Sequence, residues 1–336
     1  MCRKLINLWI YLAFSAVVLA SFDSVAKGAG NNVSQVNHQL FNSQSKRPVN
    51  LTLWFKKGNC KDEATDKHCL NEDVNTRNVA FLSHGAMGAA RDYNWLAYPL
   101  AMQGWLVVGL NHFGESWIYG KENVDPSSVS RFWQRAEDTS FVLDSFIANN
   151  PFSRDVDWHQ VVFIGHSSGG HTAATLAGVM LDAQQMGQYC SSNKGKDDKG
   201  CGYATRAQAE KLTVVSNYGQ SYKDERIKAI IMLDPAMGPA VTKSSLQQVA
   251  VPALVIGARN NDFLPFEHHA AYYAEHMKEA RLVGLNGDEG HFVFLDACNH
   301  KYKAKGVSLC EDKPGVSRKQ VHQKLLGHVM PFVSAL

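Results

Sequence analysis

Apolar runs of strand length alternate with helical patterns along most of this chain. The candidate strands cover residues 51–55, 79–82, 106–110, 161–164, 227–233, 253–256 and 281–285. Several are apolar at every position, which is typical of strands buried on both faces of a parallel sheet. The candidate helices cover residues 95–102, 131–148, 170–186, 267–278 and 319–333. This alternation predicts an α/β fold with a mostly parallel central sheet and helices on both faces, that is, a three-layer sandwich.

The composition is that of a chain with a large buried core, and its charge balance argues against some partners. Of 336 residues, 45% are hydrophobic and 19% are charged, whereas about 25% are charged in an average soluble protein. The 34 basic and 31 acidic side chains give a net charge of +3, and the sequence contains no long basic run. This even balance does not favour nucleic acid or an acidic membrane surface as the main partner.

The amino-terminal segment, residues 1–26, has the pattern of a cleaved signal peptide. Arg3 and Lys4 precede a long apolar run. Ser24 and Ala26 then offer small residues at the two positions that a signal peptidase reads. A membrane anchor is the weaker alternative, because the apolar run is shorter than the roughly 20 residues that span a bilayer. We therefore expect an exported protein, periplasmic or secreted, with no stable membrane anchor.

The cysteines fit an exported protein. Removal of the signal peptide would remove Cys2 and leave three close couples: Cys60 with Cys69, Cys190 with Cys201, and Cys298 with Cys310. Six cysteines allow 15 pairings, but an even count in an exported chain favours nearest-neighbour disulfides. A zinc site is the weaker alternative, because no couple has C-x2-C spacing and Cys298 with His300 is the only Cys-His proximity that invites it.

One domain is expected to follow the signal peptide. Residues 27–48 are polar and rich in Asn, Ser and Gln, which favours a flexible lead-in, and residues 49–336 hold the α/β pattern. Residues 187–225 form a long polar insertion between a helix and the next strand. We interpret the insertion as a surface excursion, and as a candidate lid or site-covering loop.

The residues from Gly165 to Gly169 read G-H-S-S-G and lie between a candidate strand and a candidate helix. In that context G-x-S-x-G is the motif of a nucleophilic serine on a sharp, strained turn. Small residues are needed two positions before and two positions after the serine. Ser167 meets this condition and Ser168 does not, because His166 stands two positions before Ser168. The motif therefore predicts that Ser167 is a nucleophile.

A nucleophilic serine needs a histidine base, which in turn needs a carboxylate that holds its tautomer. In this architecture the chain order is serine, acid, histidine. His291 ends a Gly-rich loop after the last candidate strand, so it is the expected base. The acid has two candidates, since Asp234 ends one strand and Asp262 follows the next. We favour Asp234, because hydrolases with the acid after the later strand would place it at Asn261 here.

Catalysis also needs backbone N–H groups that stabilise the charge developing on the carbonyl oxygen, each worth about 3 to 4 kcal/mol. Ser168, directly after the nucleophile, is the first expected donor. The second is Ala86, in the loop SHGAMG that follows an earlier strand. The glycines of that loop allow the backbone to approach a substrate closely.

These segments resemble the serine α/β-hydrolases, most nearly the plasma-type platelet-activating-factor acetylhydrolases and the bacterial exported proteins called predicted dienelactone hydrolases. The matching stretches are SHGAMGAARDYNWLAYPLAMQGWLVVGLNHFGES, GHSSGG, LDPAMGP, GHFVFLDAC and CEDKPGVSRKQVH, within about residues 50–333. The resemblance implies the α/β-hydrolase fold, with Ser167, Asp234 and His291 as catalytic residues and Ala86 as an oxyanion donor. Dienelactone hydrolases proper use a cysteine nucleophile, so the resemblance does not imply their substrate.

The sequence therefore predicts an exported serine hydrolase that cleaves small-molecule or lipid-like carboxylic esters through a Ser-His-Asp triad and an acyl-enzyme. The triad requires no metal and no organic cofactor. Two alternatives stay open: amide or peptide hydrolysis by the same triad, and a catalytically silent fold used for binding. Silent relatives usually lose the serine, the histidine or the glycines of the turn, and all of these are present here.

Overall fold

The computed structural model describes residues 33–60, 67–203 and 217–336. Eight strands form the main sheet: β1 (Val33–Asn42), β2 (Arg47–Lys56), β3 (Val79–Ser83), β4 (Leu106–Asn111), β5 (Val161–His166), β6 (Ile227–Leu233), β7 (Ala253–Ala258) and β8 (Ala280–Leu285). A short hairpin follows, of β9 (Lys303–Ala304) and β10 (Val307–Ser308). The helices are α1 (Asn94–Met102), α2 (Trp133–Ala148), α3 (Ser168–Leu176), α4 (Ala183–Ser191), α5 (Lys243–Leu246), α6 (Ala270–His276) and α7 (Arg318–Ser334).

The sheet order is β1-β2-β4-β3-β5-β6-β7-β8. Neighbours from β4 to β8 are parallel, whereas β2 runs antiparallel to both β1 and β4. Because successive side chains of a strand point to opposite faces, Phe163 packs on one face of the sheet with α2, α3 and α6, and Ile164 packs on the other with α1 and α7. The predicted three-layer α/β sandwich is confirmed. The carboxyl ends of its parallel strands meet at one edge.

Residues 33–48 correct the prediction of a flexible lead-in. Strand β1 pairs with β2 along its whole length, from Val33 opposite Lys56 to Asn42 opposite Arg47. Its burial alternates residue by residue, and Val36 and Leu40 pack against the core. An edge strand buries one face only. Polar residues occupy most positions of the other face, so the segment is not apolar enough to be predicted as a strand from its sequence. The rest of the lead-in and the predicted signal peptide lie outside the described residues.

The helix predicted at 170–186 is two helices. Helix α3 ends at Leu176, and α4 begins at Ala183. Gly178 lies between them with a φ of 102°, a left-handed conformation that ends helices readily at glycine. The predicted insertion begins inside α4, and residues 204–216 of it lie outside the described residues.

The structure contains three disulfides, Cys60–Cys69, Cys190–Cys201 and Cys298–Cys310, with Cα atoms 5.9, 5.4 and 5.0 Å apart. The two sulfurs of the third bridge lie close to His300. Zinc binds cysteine as the thiolate. The sulfurs of a disulfide are not thiolates, so these two are not available as zinc ligands. Among the described residues, no helix is both long enough and apolar enough to cross a membrane.

Candidate active site

Ser167 lies on the turn between β5 and α3, at the carboxyl edge of the sheet. Its φ of 55° and ψ of −116° are strained for a residue with a side chain. A Cβ on Gly165 would lie 2.0 Å from the Gly169 carbonyl oxygen, and a Cβ on Gly169 would lie 2.0 Å from the Ser83 carbonyl oxygen. Both positions therefore require glycine, which is the physical basis of the G-x-S-x-G motif in this chain.

The structure brings the three predicted catalytic side chains into one hydrogen-bonded line. Ser167 Oγ is 3.0 Å from His291 Nε2, and His291 Nδ1 is 3.1 Å from Asp234 Oδ2. A carboxylate accepts, so Nδ1 carries the hydrogen and Nε2 is left to accept the Ser167 hydroxyl proton. Ser167 is 7% exposed, while His291 and Asp234 are 1% and 2% exposed. The serine is therefore the member of the line that solvent reaches.

Of the two candidate acids, Asp234 contacts the imidazole. Its Oδ1 accepts the Ala258 N–H at 3.0 Å, and its Oδ2 accepts from the Asn261 side-chain amide as well as from His291. The Asp262 carboxylate instead accepts the backbone N–H of His291 at 3.0 Å. Hydrolases with the acid after the later strand would place it at position 261. Here that position is an asparagine, whose side-chain amide donates to Asp234.

Burial opposes charge on both partners of the His291–Asp234 pair. It raises the pKa of Asp234 well above its ordinary value, an effect that the hydrogen bonds from Ala258 and Asn261 counteract. Burial lowers the pKa of His291 to about 3. A neutral imidazole is the form that can accept a proton from a serine hydroxyl, and the low pKa keeps His291 in that form at neutral pH.

The two expected oxyanion donors lie on segments that flank the nucleophile. A Cβ on Gly85 would approach Ser167 Cβ to 3.2 Å, so the loop after β3 passes directly beside the serine. Ala86 is the next residue of that loop. Ser168 is the first residue of α3, where helix N–H groups have no partner within the helix.

Tyr93 and His166 form a buried link that the sequence did not predict. The Gly85 N–H donates to the Tyr93 hydroxyl at 3.0 Å, and that hydroxyl donates to His166 Nδ1 at 2.8 Å. His166 Nε2 then donates to the carbonyl oxygen of His291 at 3.1 Å. The link joins the loop after β3 to the backbone of the base. His166 could have been singled out from the sequence because it lies within the G-x-S-x-G motif. No sequence pattern identifies Tyr93.

Besides His269, His291 and His322, four histidines are buried among the described residues: His84, His112, His166 and His171. Each makes hydrogen bonds through its ring nitrogens. Burial lowers the pKa of all four, to about 3 for His171. They are therefore neutral in the folded protein at neutral pH.

We expect the free energy of unfolding to fall as the pH drops below about 6.5. In the unfolded chain these histidines bind protons near their ordinary pKa of 6.5, whereas in the fold they stay neutral. The unfolded state then binds more protons, and each histidine costs up to about 1.4 kcal/mol of stability per pH unit. Urea unfolding at pH 7.5, 6.5 and 5.5 measures the slope, and His171→Gln should flatten it. Equal stability at pH 7.5 and 5.5 would contradict the prediction.

The described part of the insertion packs against the loop next to the base. The Lys199 N–H donates to the Phe263 carbonyl oxygen at 3.0 Å, and the Asp198 carboxylate accepts from His269 Nε2 at 2.7 Å. The Phe263 ring in turn stacks on the His291 ring, with centroids 5.0 Å apart. The described part of the insertion thus reaches His291 through the Phe263 side chain.

Comparisons with known proteins agree with this fold. A family model described as "Serine aminopeptidase, S33" matches residues 74–199. No curated protein matches the sequence at a significant level. Among solved structures, a ferulic acid esterase from Streptomyces cinnamoneus is similar, with a TM-score of 0.55 and 17% identity over 93% of this chain and 92% of that chain. At this identity the likeness establishes the fold, which is that of the α/β-hydrolases.

Proposed function

We propose that this protein is an exported enzyme of the serine α/β-hydrolase superfamily that cleaves carboxylic esters through Ser167, His291 and Asp234. The observation that carries the proposal is the line of hydrogen bonds from Ser167 Oγ to His291 Nε2 at 3.0 Å and from His291 Nδ1 to Asp234 at 3.1 Å. A nucleophile, a base and an orienting acid in this order form the apparatus of acyl transfer.

Each step follows from the positions of these groups. Ser167 Oγ attacks the ester carbonyl carbon while His291 Nε2 takes the hydroxyl proton, and Asp234 stabilises the imidazolium that forms. The tetrahedral intermediate carries its negative charge on the former carbonyl oxygen, toward the Ala86 and Ser168 N–H groups. Its collapse breaks the bond to the alcohol oxygen, which receives the proton from His291. Water then attacks the acyl carbon while His291 takes its proton, the bond from that carbon to Ser167 Oγ breaks, and Oγ recovers the proton from His291 as the carboxylic acid leaves.

Export and substrate class are part of the proposal. The three disulfides suit an oxidising compartment, and the predicted signal peptide would direct the chain there. A small-molecule or lipid-like ester fits a site whose base lies beside the aromatic rings of Phe263 and Phe292. The narrower resemblance to platelet-activating-factor acetylhydrolases stays a prediction.

Amide or peptide hydrolysis is a second candidate, because the matching family model is described as a serine aminopeptidase. The same triad serves both reactions, since each passes through an acyl-enzyme. p-Nitrophenyl esters of two to twelve acyl carbons, assayed beside aminoacyl p-nitroanilides, separate the two candidates. We expect turnover of the esters. Faster turnover of the anilides would assign the protein to the second candidate.

A fluorophosphonate probe tests whether the site is catalytic at all. Wild-type protein should become labelled, because the probe reacts with a serine that a neighbouring base activates. Ser167→Ala should not become labelled, and Ser168→Ala, one residue along the chain, should keep its label because Ser168 contributes its backbone N–H. An unlabelled wild type with a native circular dichroism spectrum would instead support the silent binding fold.

A further inference from the structure

Arg135 extends from α2 to the rear of the loop after β3, where it forms a buried ion pair. Its side chain and that of Glu115 are 2% and 3% exposed. Arg135 Nε and Nη2 donate to the two carboxylate oxygens of Glu115 at 2.9 and 2.7 Å, a two-pronged contact that fixes the plane of the guanidinium. Such buried pairs rarely stabilise a fold more than apolar residues of the same size would. The position of this pair beside the nucleophile points to another role.

The remaining Arg135 N–H groups bind the backbone of the loop and the end of β3, where Nη1 donates to Ser83 Oγ at 3.2 Å. Nη1 donates to the His84 carbonyl oxygen at 2.6 Å, and Nη2 also approaches the Gly85 carbonyl oxygen at 3.4 Å. The Gly85 carbonyl accepts two further bonds, from His84 Nδ1 at 2.6 Å and from the Gly88 N–H at 3.2 Å. Two consecutive carbonyl groups therefore face Arg135.

The direction of a carbonyl sets the direction of the N–H in the same peptide, because the two point opposite ways in a trans peptide. The peptide between His84 and Gly85 shows this, since its carbonyl binds Arg135 and its N–H donates to the Tyr93 hydroxyl. In the next peptide the Gly85 carbonyl also faces Arg135, so the Ala86 N–H points away from the guanidinium. A Cβ on Gly85 would approach both Ser167 and the Tyr93 hydroxyl that accepts the Gly85 N–H, so we infer that Ser167 lies on the side of the loop away from Arg135.

On the basis of the proposed function, we propose that Arg135 is the positioning residue of the oxyanion hole. By binding the His84 and Gly85 carbonyls it aims the Ala86 N–H at the position where the ester carbonyl oxygen gains charge. Glu115 holds the guanidinium, and neither side chain touches substrate. Because the Ala86 N–H would already point at that position, the peptide would not need to reorient during the reaction. Without Arg135, the His84 carbonyl loses its guanidinium donor and the Gly85 carbonyl keeps only its bonds from His84 Nδ1 and the Gly88 N–H, so the flexible Gly85 peptide is less firmly aimed.

Arg135→Lys tests the proposal, because lysine keeps the charge but lacks the planar fork that reaches both carbonyls. We expect kcat per active site to fall by about 10²-fold, as when one oxyanion donor is removed. KM should change by less than threefold. The affinity for an aryl trifluoromethyl ketone, whose adduct carries an oxyanion, should fall by the same factor as kcat/KM. Endpoint labelling with the fluorophosphonate counts the active sites, so unfolded molecules in a preparation do not lower the kcat that is calculated per active site.

A second variant guards against loss of folding. Arg135→Met combined with Glu115→Leu removes both charges, so neither is left buried and unpaired, and it should show the same loss of kcat. Arg226→Lys is the matched control. Arg226 binds the carboxylates of Asp224 and Asp144, but it directly precedes β6 and so lies at the amino ends of the strands. It should keep the wild-type kcat.

The outcomes separate the two proposals. If wild type is labelled and Ser167→Ala is not, while folded Arg135 variants keep kcat and ketone affinity within threefold of wild type, the positioning role is wrong and the proposed function stands. An equal loss in Arg226→Lys would also overturn the positioning role, because it would show a general effect of removing a structural arginine. If wild type is not labelled, the proposed function fails, and the role of Arg135 fails with it.

Discussion

His291→Ala should lower kcat on p-nitrophenyl butyrate by a factor on the order of 10⁶, the loss expected when the base of a Ser-His-Asp triad is removed. The physical reason is that, among the described residues, no other side chain hydrogen-bonds to Ser167 Oγ and could take its proton. His166 is close to His291, with ring centroids 4.6 Å apart, but both of its nitrogens are engaged by Tyr93 and the His291 carbonyl. KM should change little, because the imidazole acts on the transition state.

His269→Ala is the matched control for that experiment. His269 is also buried and paired with a carboxylate, at 2.7 Å from Asp198, but its Nδ1 accepts the Gly238 N–H and faces no nucleophile. This variant should lose stability through the broken pair and keep kcat within about tenfold of wild type, since it removes a structural contact only. If its kcat fell as far as that of His291→Ala, the identity of the base would be in question.

Asp234→Asn should lower kcat by about 10⁴-fold, as the loss of the orienting acid does in other triads. The side-chain amide of asparagine would present a donor or a weaker acceptor to His291 Nδ1. It would also disturb the contacts from Ala258 and Asn261, which both donate to the carboxylate. Without the carboxylate the imidazole has no fixed tautomer, and the imidazolium loses its stabilising charge.

Asp262→Asn separates the two candidate acids. An asparagine Oδ1 can still accept the backbone N–H of His291, the contact that Asp262 makes at 3.0 Å. We therefore expect kcat to fall by less than tenfold in this variant. Initial rates at saturating ester, with active sites counted by the phosphonate probe, measure both variants. If kcat fell about 10⁴-fold in Asp262→Asn and not in Asp234→Asn, Asp262 would be the acid in place of Asp234.

The sheet could be predicted from sequence because a strand buried on both faces must be apolar at nearly every position. The candidate strand at 227–233 matches β6 without change, and 161–164 matches β5 except for its last two residues. Strand β1 was missed for the opposite reason. One of its faces meets water, so polar residues such as Gln35 and Asn37 occupy it.

In the candidate site, residues within a short motif could be predicted from the sequence, whereas residues that act through contacts far along the chain could not. Ser167 could be identified because its constraint is local, in the glycines two positions away. Arg135 could not be, because its role depends on contacts with the carbonyls of residues 51 and 50 positions away in sequence. Glu115 could not be either, because it acts only through Arg135, 20 positions away. A buried charged pair has no sequence period, and without the fold an arginine in a helical pattern indicates only a solvated face.

The contact between Gly169 and the Ser83 carbonyl has a consequence for substrate size. It leaves no space between α3 and the end of β3, so the nucleophile and the loop carrying Gly85 must move together as one rigid body. Room for a larger acyl group cannot be made on that side. We expect it to come from around Phe263, whose ring stacks on His291 and whose carbonyl binds Lys199 of the disulfide-bridged insertion. Differences in chain-length preference should therefore follow changes in those residues and leave the machinery around Ser167 intact.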